Sequence, residues 1–195
     1  MEIKILDMIQ NLHTTVGDHF FIGITKLGDA GIIWIFLTIL LLILPKMRKY
    51  GLAMLVGLCI DVIVCNGLLK NLVARTRPCD VNTAIQLLIS HPTDYSFPSG
   101  HTAASFTAVA ALYFSGDKKI WKAAIVLGIL IAFSRMYLYV HYPTDILGGI
   151  LVGIFSGFIG SKIVTYMMKK RANQNEKDNP AGLPKGRTKR RIRYR

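Results

Sequence analysis

Three short blocks of the sequence carry residues whose types and spacing suit chemistry on a phosphate group. Together they supply three cations, two histidines, one carboxylate and a glycine-containing turn that can begin a helix. Guanidinium and ammonium groups hold phosphoryl oxygens, and an activated imidazole can attack phosphorus. This set suits phosphoryl transfer through a histidine nucleophile, with no metal required. The three blocks contain Lys70, Arg77 and Pro78; Pro98, Ser99, Gly100 and His101; and Ser134, Arg135, His141 and Asp145.

The third block pairs a histidine with a carboxylate. Asp145 follows His141 by four residues at the start of an apolar segment, and Arg135 precedes His141 by six residues, so it can reach the same pocket. A carboxylate hydrogen-bonded to one imidazole nitrogen fixes the tautomer and leaves the other nitrogen free to attack. The sequence therefore predicts His141 as the nucleophile, because it alone has an orienting carboxylate nearby.

The first two blocks predict an anion-binding pocket. Lys70 and Arg77 stand where an apolar segment ends, and charges at such a place are costly unless they reach water or a partner. A phosphate would supply that partner, because Arg offers a planar fork of donors and Lys a point charge. Ser99 is placed to cap the following helix, whose first N–H groups favour an anion, and Gly100 allows the backbone to approach a ligand closely.

The elements that must position these blocks are membrane-spanning helices. Of 195 residues, 52% are hydrophobic and 18% are charged, and the mean hydropathy is +0.40. A bilayer core of about 30 Å needs about 20 apolar residues, and flanking residues can extend shorter segments. Five apolar segments therefore predict an all-α integral membrane bundle of about five spans and exclude a soluble globule. They are Ala30–Leu44, Gly51–Leu69, Gly100–Ser115, Ile120–Phe133 and Ile146–Met168.

The first 29 residues predict a different element. Ile5, Met8 and Leu12 recur at helical spacing between polar residues. This pattern is typical of an amphipathic helix that lies in the membrane interface rather than spanning it. Residues 20–27 either lengthen the first span or form a short turn against it.

Basic residues assign the two sides of the membrane. Lys and Arg cluster after the first span, between the third and fourth spans, and after the fifth, so the positive-inside rule places these regions in the cytoplasm. The connections that carry the three blocks then face outward.

Residues 169–195 hold eleven Lys and Arg against two acidic residues, or +9 of the net charge of +13. We interpret residues 1–168 as the membrane domain and residues 169–195 as a disordered cytoplasmic tail attracted to anionic lipid headgroups. Nucleic acid is not an expected partner, because no reading element accompanies the charge.

The order and spacing of the blocks resemble the type 2 phosphatidic acid phosphatase family, integral-membrane lipid phosphatases that share a helical core with vanadium haloperoxidases. The family pattern is Lys-x6-Arg-Pro, then Pro-Ser-Gly-His, then Ser-Arg-x5-His-x3-Asp, and this chain matches all of it within about residues 50–165. The resemblance implies that His141 attacks phosphorus to form a phosphohistidine while Asp145 orients it. It implies that His101 protonates the leaving oxygen and then activates water, without a metal or another cofactor. The phosphoryl oxygens would be held by Lys70, Arg77, Ser99, the Gly100 amide and Arg135.

The resemblance and the predicted orientation favour a lipid phosphatase at the outer face of the cell membrane. Undecaprenyl diphosphate is the preferred substrate, because an outward site suits recycling of a carrier lipid and because Arg75 is a further cation for a second phosphate. Phosphatidic acid or phosphatidylglycerol phosphate is the alternative substrate. Two other classes are a haloperoxidase-like enzyme, which the membrane setting argues against, and a non-enzymatic membrane scaffold, which the intact set of charged residues argues against.

Overall fold

The structure, a computed structural model, describes residues 1–178. In this part of the chain all regular secondary structure is helical, so the predicted all-α membrane bundle is confirmed. Short 3-10 segments at Asp29–Gly31 and Pro45–Met47 and a π-helix at Val62–Leu69 lie between the α-helices. The α-helices are α1 (Glu2–Gln10), α2 (Thr15–Gly28), α3 (Ile32–Ile43), α4 (Arg48–Asp61), α5 (Lys70–Val73), α6 (Pro78–Val81), α7 (Gly100–Phe114), α8 (Ile120–Tyr137) and α9 (Pro143–Asp178).

Helix α7 lies at the centre of the bundle and packs against α9, α8 and α4. Its contact with α9 is close because α9 presents glycines to it. A Cβ added at Gly153 would lie 2.5 Å from the carbonyl oxygen of Ala103, and one at Gly157 would lie 2.4 Å from that of Thr107. Small residues at helix interfaces are typical of membrane proteins, where close van der Waals packing replaces a hydrophobic driving force between helices.

Four helical segments are long and apolar enough to cross a membrane. The third predicted span, Gly100–Ser115, corresponds to α7, whose 15 residues extend over about 22 Å, less than the hydrocarbon core of about 30 Å. Because α4, α8 and α9 pack around α7, it does not have to span lipid by itself. The bundle thus has four long segments and one shorter central helix. The four segments are Thr15–Ile43, Pro45–Val81, Ile120–Tyr137 and Pro143–Asn175.

The N-terminal region corrects the expected start of the first span. Helix α1 is separate, as its amphipathic pattern predicts, but the helical segment that contains the first span begins at Thr15 rather than Ala30. That segment is broken between α2 and α3, because Ala30 and Gly31 have positive φ angles of 50° and 71°. Left-handed backbone ends an α-helix. As a result α2 packs against α8, while α3 continues beside α4.

The structure also corrects the boundary placed at residue 169. Helix α9 continues through Asp178, so a disordered segment does not begin at Lys169. Residues 169–178 contain no Gly or Pro, and adding residues to an existing helix avoids the cost of nucleation. The rest of the predicted tail, residues 179–195, lies outside the described residues.

The connections that carry the three sequence blocks meet at one end of the bundle. Lys70 begins α5, Gly100 begins α7, and Asp145 lies in the first turn of α9. The loops at the opposite end contact each other as well, since Lys49 Nζ donates to the carbonyl oxygen of Ser115 at 2.7 Å. The helical connectivity therefore gathers residues that are far apart in the sequence around one site.

Candidate active site

His141 and Asp145 face each other in the interior of the site. His141 is 1% exposed and Asp145 is fully buried, and His141 Nδ1 lies 3.5 Å from Asp145 Oδ2. This distance is long for a hydrogen bond, and such catalytic pairs often tighten only when substrate binds. The other ring nitrogen, Nε2, lies 3.2 Å from Arg77 Nη1. Burial and the charges of Arg77 and Arg135 lower the pKa of His141, so its imidazole is neutral at neutral pH.

Three further groups hold the Asp145 carboxylate. Ser96 Oγ and the Tyr142 backbone N–H donate to Oδ2 at 2.5 and 2.9 Å. Arg75 Nη1 donates to Oδ1 at 2.6 Å. A carboxylate buried without such partners would be strongly destabilised. These bonds satisfy its negative charge and direct the carboxylate toward His141; sequence reasoning did not anticipate the part played by Ser96.

A cavity of about 710 Å³ lies beside His141. Cations from four parts of the chain line it: Lys26 in α2, Lys70 in α5, Arg77 before α6 and Arg135 in α8. Arg77 and Arg135 are almost completely buried, and Arg135 Nη1 donates to Thr25 Oγ1 at 2.5 Å. Three cations around one cavity suit the oxygens of a phosphoryl group. We refer to Lys70, Arg77 and Arg135 as the cation cradle.

The second sequence block divides between the cavity and its support. Gly100 and His101 line the cavity at the start of α7, where the first N–H groups of a helix favour an anion. Ser99 is fully buried and does not line the cavity. Its hydroxyl does not form the expected cap of α7 and instead accepts a hydrogen bond from Thr102 Oγ1 at 3.0 Å. The predicted direct contact between Ser99 and phosphate is therefore not apparent in this arrangement.

Sequence reasoning missed Asp29, which lies at the break between α2 and α3. Asp29 Oδ1 is 2.9 Å from His101 Nε2. His101 and His141 therefore each face a carboxylate at the cavity. Burial and the charge of Arg135 lower the pKa of His101 to about 4, and the carboxylate of Asp29 opposes this shift. Asp29 thus acts in favour of the protonated imidazole, the form that a general acid needs. No local pattern marks this contact, because the two residues are 72 positions apart.

Sequence reasoning also missed Asp94, whose carboxylate pairs with two members of the cation cradle. One carboxylate oxygen pairs with Lys70, and the other is 2.5 Å from Arg77 Nη2. Partial burial acts to raise the pKa of Asp94, but hydrogen bonds and charges from Lys70 and Arg77 outweigh burial and lower it to about 2. Asp94 is therefore ionised at neutral pH, and a phosphate that binds the same two cations must displace it.

The structure corrects the expectation that Arg75 faces a second phosphate. Arg75 does not line the cavity. Its guanidinium donates to Asp145, to Thr144 Oγ1 at 2.6 Å and to Glu2 Oε2 at 2.5 Å, and it stacks 3.9 Å from the centre of the Tyr142 ring. A buried carboxylate and an acidic residue of α1 thus occupy its donors, and Arg75 acts on the site through Asp145.

Side chains with metal-ligand character do meet at one place, although their sequence spacing did not predict a cluster. His91 Nε2 lies 2.8 Å from Asp80 Oδ1 and 3.9 Å from Cys79 Sγ. Asp80 and His91 are exposed and already form an ion pair. His91 also lines the cavity beside the cation cradle, whereas Cys79 and Asp80 do not line it.

This all-helical membrane bundle, with a cavity lined by three histidines and four cations, is the architecture of a phosphate-binding membrane protein. Residues 46–169 of the chain match the PAP2 superfamily. The chain therefore belongs to this superfamily, and the resemblance seen in the three sequence blocks is confirmed.

Known proteins of similar sequence and structure include prenyl diphosphatases. An undecaprenyl-diphosphatase of Sulfolobus acidocaldarius is 35% identical over 131 residues, which cover 67% of this chain and 63% of that protein. The undecaprenyl-diphosphatase BcrC of Bacillus subtilis is 32% identical over 165 residues, or 82% of each protein. The crystal structure of Aquifex aeolicus LpxE is similar with a TM-score of 0.71 and 30% identity, covering 83% of this chain and 94% of that one. The chain thus matches less than two thirds of the length of the archaeal relative.

Replacing Asp94 with Asn should strengthen inhibition by vanadate, because the carboxylate that competes for Lys70 and Arg77 loses its charge. A hydrogen bond to a charged group contributes about 1.5–3 kcal/mol, so the inhibition constant should fall roughly tenfold. The measurement is phosphate release by purified protein at increasing vanadate, with Asp178→Asn as the control because Asp178 is exposed at the end of α9. An unchanged or higher constant for Asp94→Asn would refute competition between Asp94 and the anion.

Arg75→Ala should lower kcat with little change in KM, because Arg75 orients Asp145 and does not line the cavity. Loss of an outer partner that orients a site residue typically costs about ten- to hundredfold. The loss should be equal for lipid monophosphates and diphosphates, and Arg75→Lys should restore part of it, since Lys keeps the charge but not the fork of donors. A loss confined to the diphosphate would instead support the original assignment of Arg75 to a second phosphate.

Proposed function

We propose that the chain is a lipid phosphatase whose preferred substrate is undecaprenyl diphosphate and whose chemistry is carried by side chains alone. The observation that carries this proposal is one cavity lined by His141, His101 and the cation cradle. The two relatives named undecaprenyl-diphosphatase support the choice of a lipid diphosphate. The membrane bundle supports a substrate that stays in the bilayer.

In the first step His141 Nε2 attacks the terminal phosphorus. A bond forms between nitrogen and phosphorus as the bond from phosphorus to the leaving oxygen breaks, and His101 gives its proton to that oxygen. Asp145 faces Nδ1 and stabilises the imidazolium as positive charge develops on the ring. The cation cradle and the first turn of α7 hold the phosphoryl oxygens, and such preorganised charge is usually the largest contribution to phosphoryl transfer.

In the second step water attacks the phosphohistidine. His101, now neutral, accepts a proton from the water, and the bond between phosphorus and His141 breaks. Inorganic phosphate leaves, and both histidines return to their starting protonation states. The carboxylate of Asp29, 2.9 Å from His101 Nε2, favours the protonated His101 with which the next cycle begins.

This site lies on the outer side of the membrane in our proposal. The support is the positive-inside rule, because Lys and Arg are concentrated in the loops at the opposite end of the bundle. The C-terminus is then cytoplasmic. Residues 169–178, which extend α9, begin a basic segment for which anionic lipid headgroups are the partner that its charge favours.

His141→Ala should remove essentially all phosphate release, a loss on the order of 10³-fold or more as expected for a nucleophile. The assay compares undecaprenyl diphosphate, phosphatidic acid and phosphatidylglycerol phosphate with purified protein, and the wild type should have its highest kcat/KM with the diphosphate. His19→Ala is the control, since His19 is exposed and its ring contacts the Thr15 carbonyl oxygen of its own helix, away from the cavity. Substantial turnover by His141→Ala would remove His141 from its role, whereas better turnover of phosphatidic acid would change the substrate only.

A cysteine at Ser90 should react with an impermeant thiol reagent in intact cells, and a cysteine at Lys118 should react only after permeabilisation. Both positions are exposed in the structure, and they lie in connections at opposite ends of the bundle. The native Cys59, Cys65 and Cys79 are replaced by Ala in both proteins, because Cys79 is only 5% exposed and would report poorly. The reverse labelling pattern would place the site in the cytoplasm.

A further inference from the structure

A lipid diphosphate carries a second phosphate, and the cation cradle accounts for only the first. Lys70, Arg77 and Arg135 surround the position next to His141, where the terminal phosphoryl group reacts. Arg75 is bonded to Asp145 and Glu2 and does not reach the cavity. The following inference rests on the proposed diphosphate substrate and concerns the group that receives its second phosphate.

The end of α2 forms one wall of the cavity. The break at Ala30 and Gly31 stops α2 beside the site, and Thr25, Lys26 and Asp29 all line the cavity. Without that break the helix would continue into α3, and its last turn would not end at the cavity.

The neighbours of Lys26 show which side of the site this wall covers. Thr25 Oγ1 accepts a hydrogen bond from Arg135 of the cation cradle. Asp29 lies 2.9 Å from Nε2 of His101, the residue that protonates the leaving oxygen in the proposed mechanism. Lys26 precedes Asp29 by three residues at the end of α2, and both line the cavity, so Lys26 lies on the side of the cavity where His101 and Asp29 meet.

Lys26 is also available to bind an anion. It is exposed at the cavity wall, and within residues 1–178 no ion pair or hydrogen bond engages its ammonium group. By contrast, two members of the cation cradle, Lys70 and Arg77, form ion pairs with Asp94. An alternative role for Lys26 is to complement the dipole at the C-terminal end of α2, and that role predicts no dependence on the type of substrate.

We propose that Lys26 binds the phosphate that remains on the lipid when the terminal phosphoryl group is transferred to His141. In that step the bond between the terminal phosphorus and the bridging oxygen breaks, and the bridging oxygen stays with a lipid monophosphate. Lys26 offsets the negative charge of this leaving group while His101 supplies its proton. A lipid monophosphate substrate has an alcohol as its leaving group and gains nothing from Lys26, so this residue determines specificity for diphosphates.

The test compares Lys26→Ala with wild type on undecaprenyl diphosphate and on phosphatidic acid in the same detergent. We expect kcat/KM for the diphosphate to fall roughly tenfold or more, as for the loss of one charge-assisted hydrogen bond, and that for phosphatidic acid to change by less than about twofold. Lys26→Arg should recover most of the lost activity because it keeps the cation. Lys4→Ala is the matched control, since it removes an exposed Lys of α1 that does not line the cavity. Equal losses on both substrates, or no loss on the diphosphate, would overturn the assignment of Lys26.

A second measurement separates this inference from the proposed substrate. Methylenediphosphonate, a diphosphate that cannot be hydrolysed, and orthophosphate are compared as inhibitors of phosphatidic acid hydrolysis. Lys26→Ala should weaken inhibition by methylenediphosphonate several-fold and leave inhibition by orthophosphate unchanged. If the wild type does not prefer undecaprenyl diphosphate, the substrate proposal fails. If each of the two anions inhibits Lys26→Ala as strongly as it inhibits the wild type, the proposed role of Lys26 fails, whatever the preferred lipid is.

Discussion

The buried carboxylate of Asp145 is the interaction on which the rest of the site depends. A charge removed from water has to be matched by nearby partners, and these come from separate parts of the chain: Arg75 after α5, Ser96 before α7 and His141 before α9. Satisfying one carboxylate therefore brings the two connections together at the same end of the bundle. Because Arg75 also binds Glu2, helix α1 belongs to the same network. Although α1 is too short to span a membrane, it therefore contributes to the site.

A second constraint is the distance between α7 and α9, because His101 stands on one of these helices and Asp145 on the other. The glycines of α9 set this distance. The close contact extends to the site itself, where a Cβ added at Gly149 would lie 2.8 Å from the carbonyl oxygen of Ser99. Protein interiors are close-packed, so this contact fixes the distance between His101 on α7 and Asp145 on α9.

The bundle and the core of the site were predictable from sequence because both depend on local patterns. An apolar segment of sufficient length predicts a membrane helix whatever surrounds it. Lys70 and Arg77 stand at the end of such a segment, where a cation needs a partner, and this marks them as site residues. Asp29 and Asp94 were not predictable, because their contacts join residues that are distant in sequence and no spacing marks them. Arg75 was misassigned for the same reason, since counting cations near a motif does not reveal which carboxylate occupies them. The break in the helix at Ala30 could not be predicted from sequence, because alanine normally favours helix and tertiary packing overrides that preference here.

The short length of α7 sets the depth at which the chemistry takes place. A helix of about 22 Å is several ångströms shorter than the hydrocarbon core. Because His101 lies in the first turn of this helix, we expect the floor of the cavity to lie below the outer edge of the bilayer and not in bulk water. A lipid can bring its polar end to His101 while its chains remain among their neighbours. The encounter is then two-dimensional, and the rate follows the mole fraction of substrate in the bilayer rather than its concentration in the whole volume.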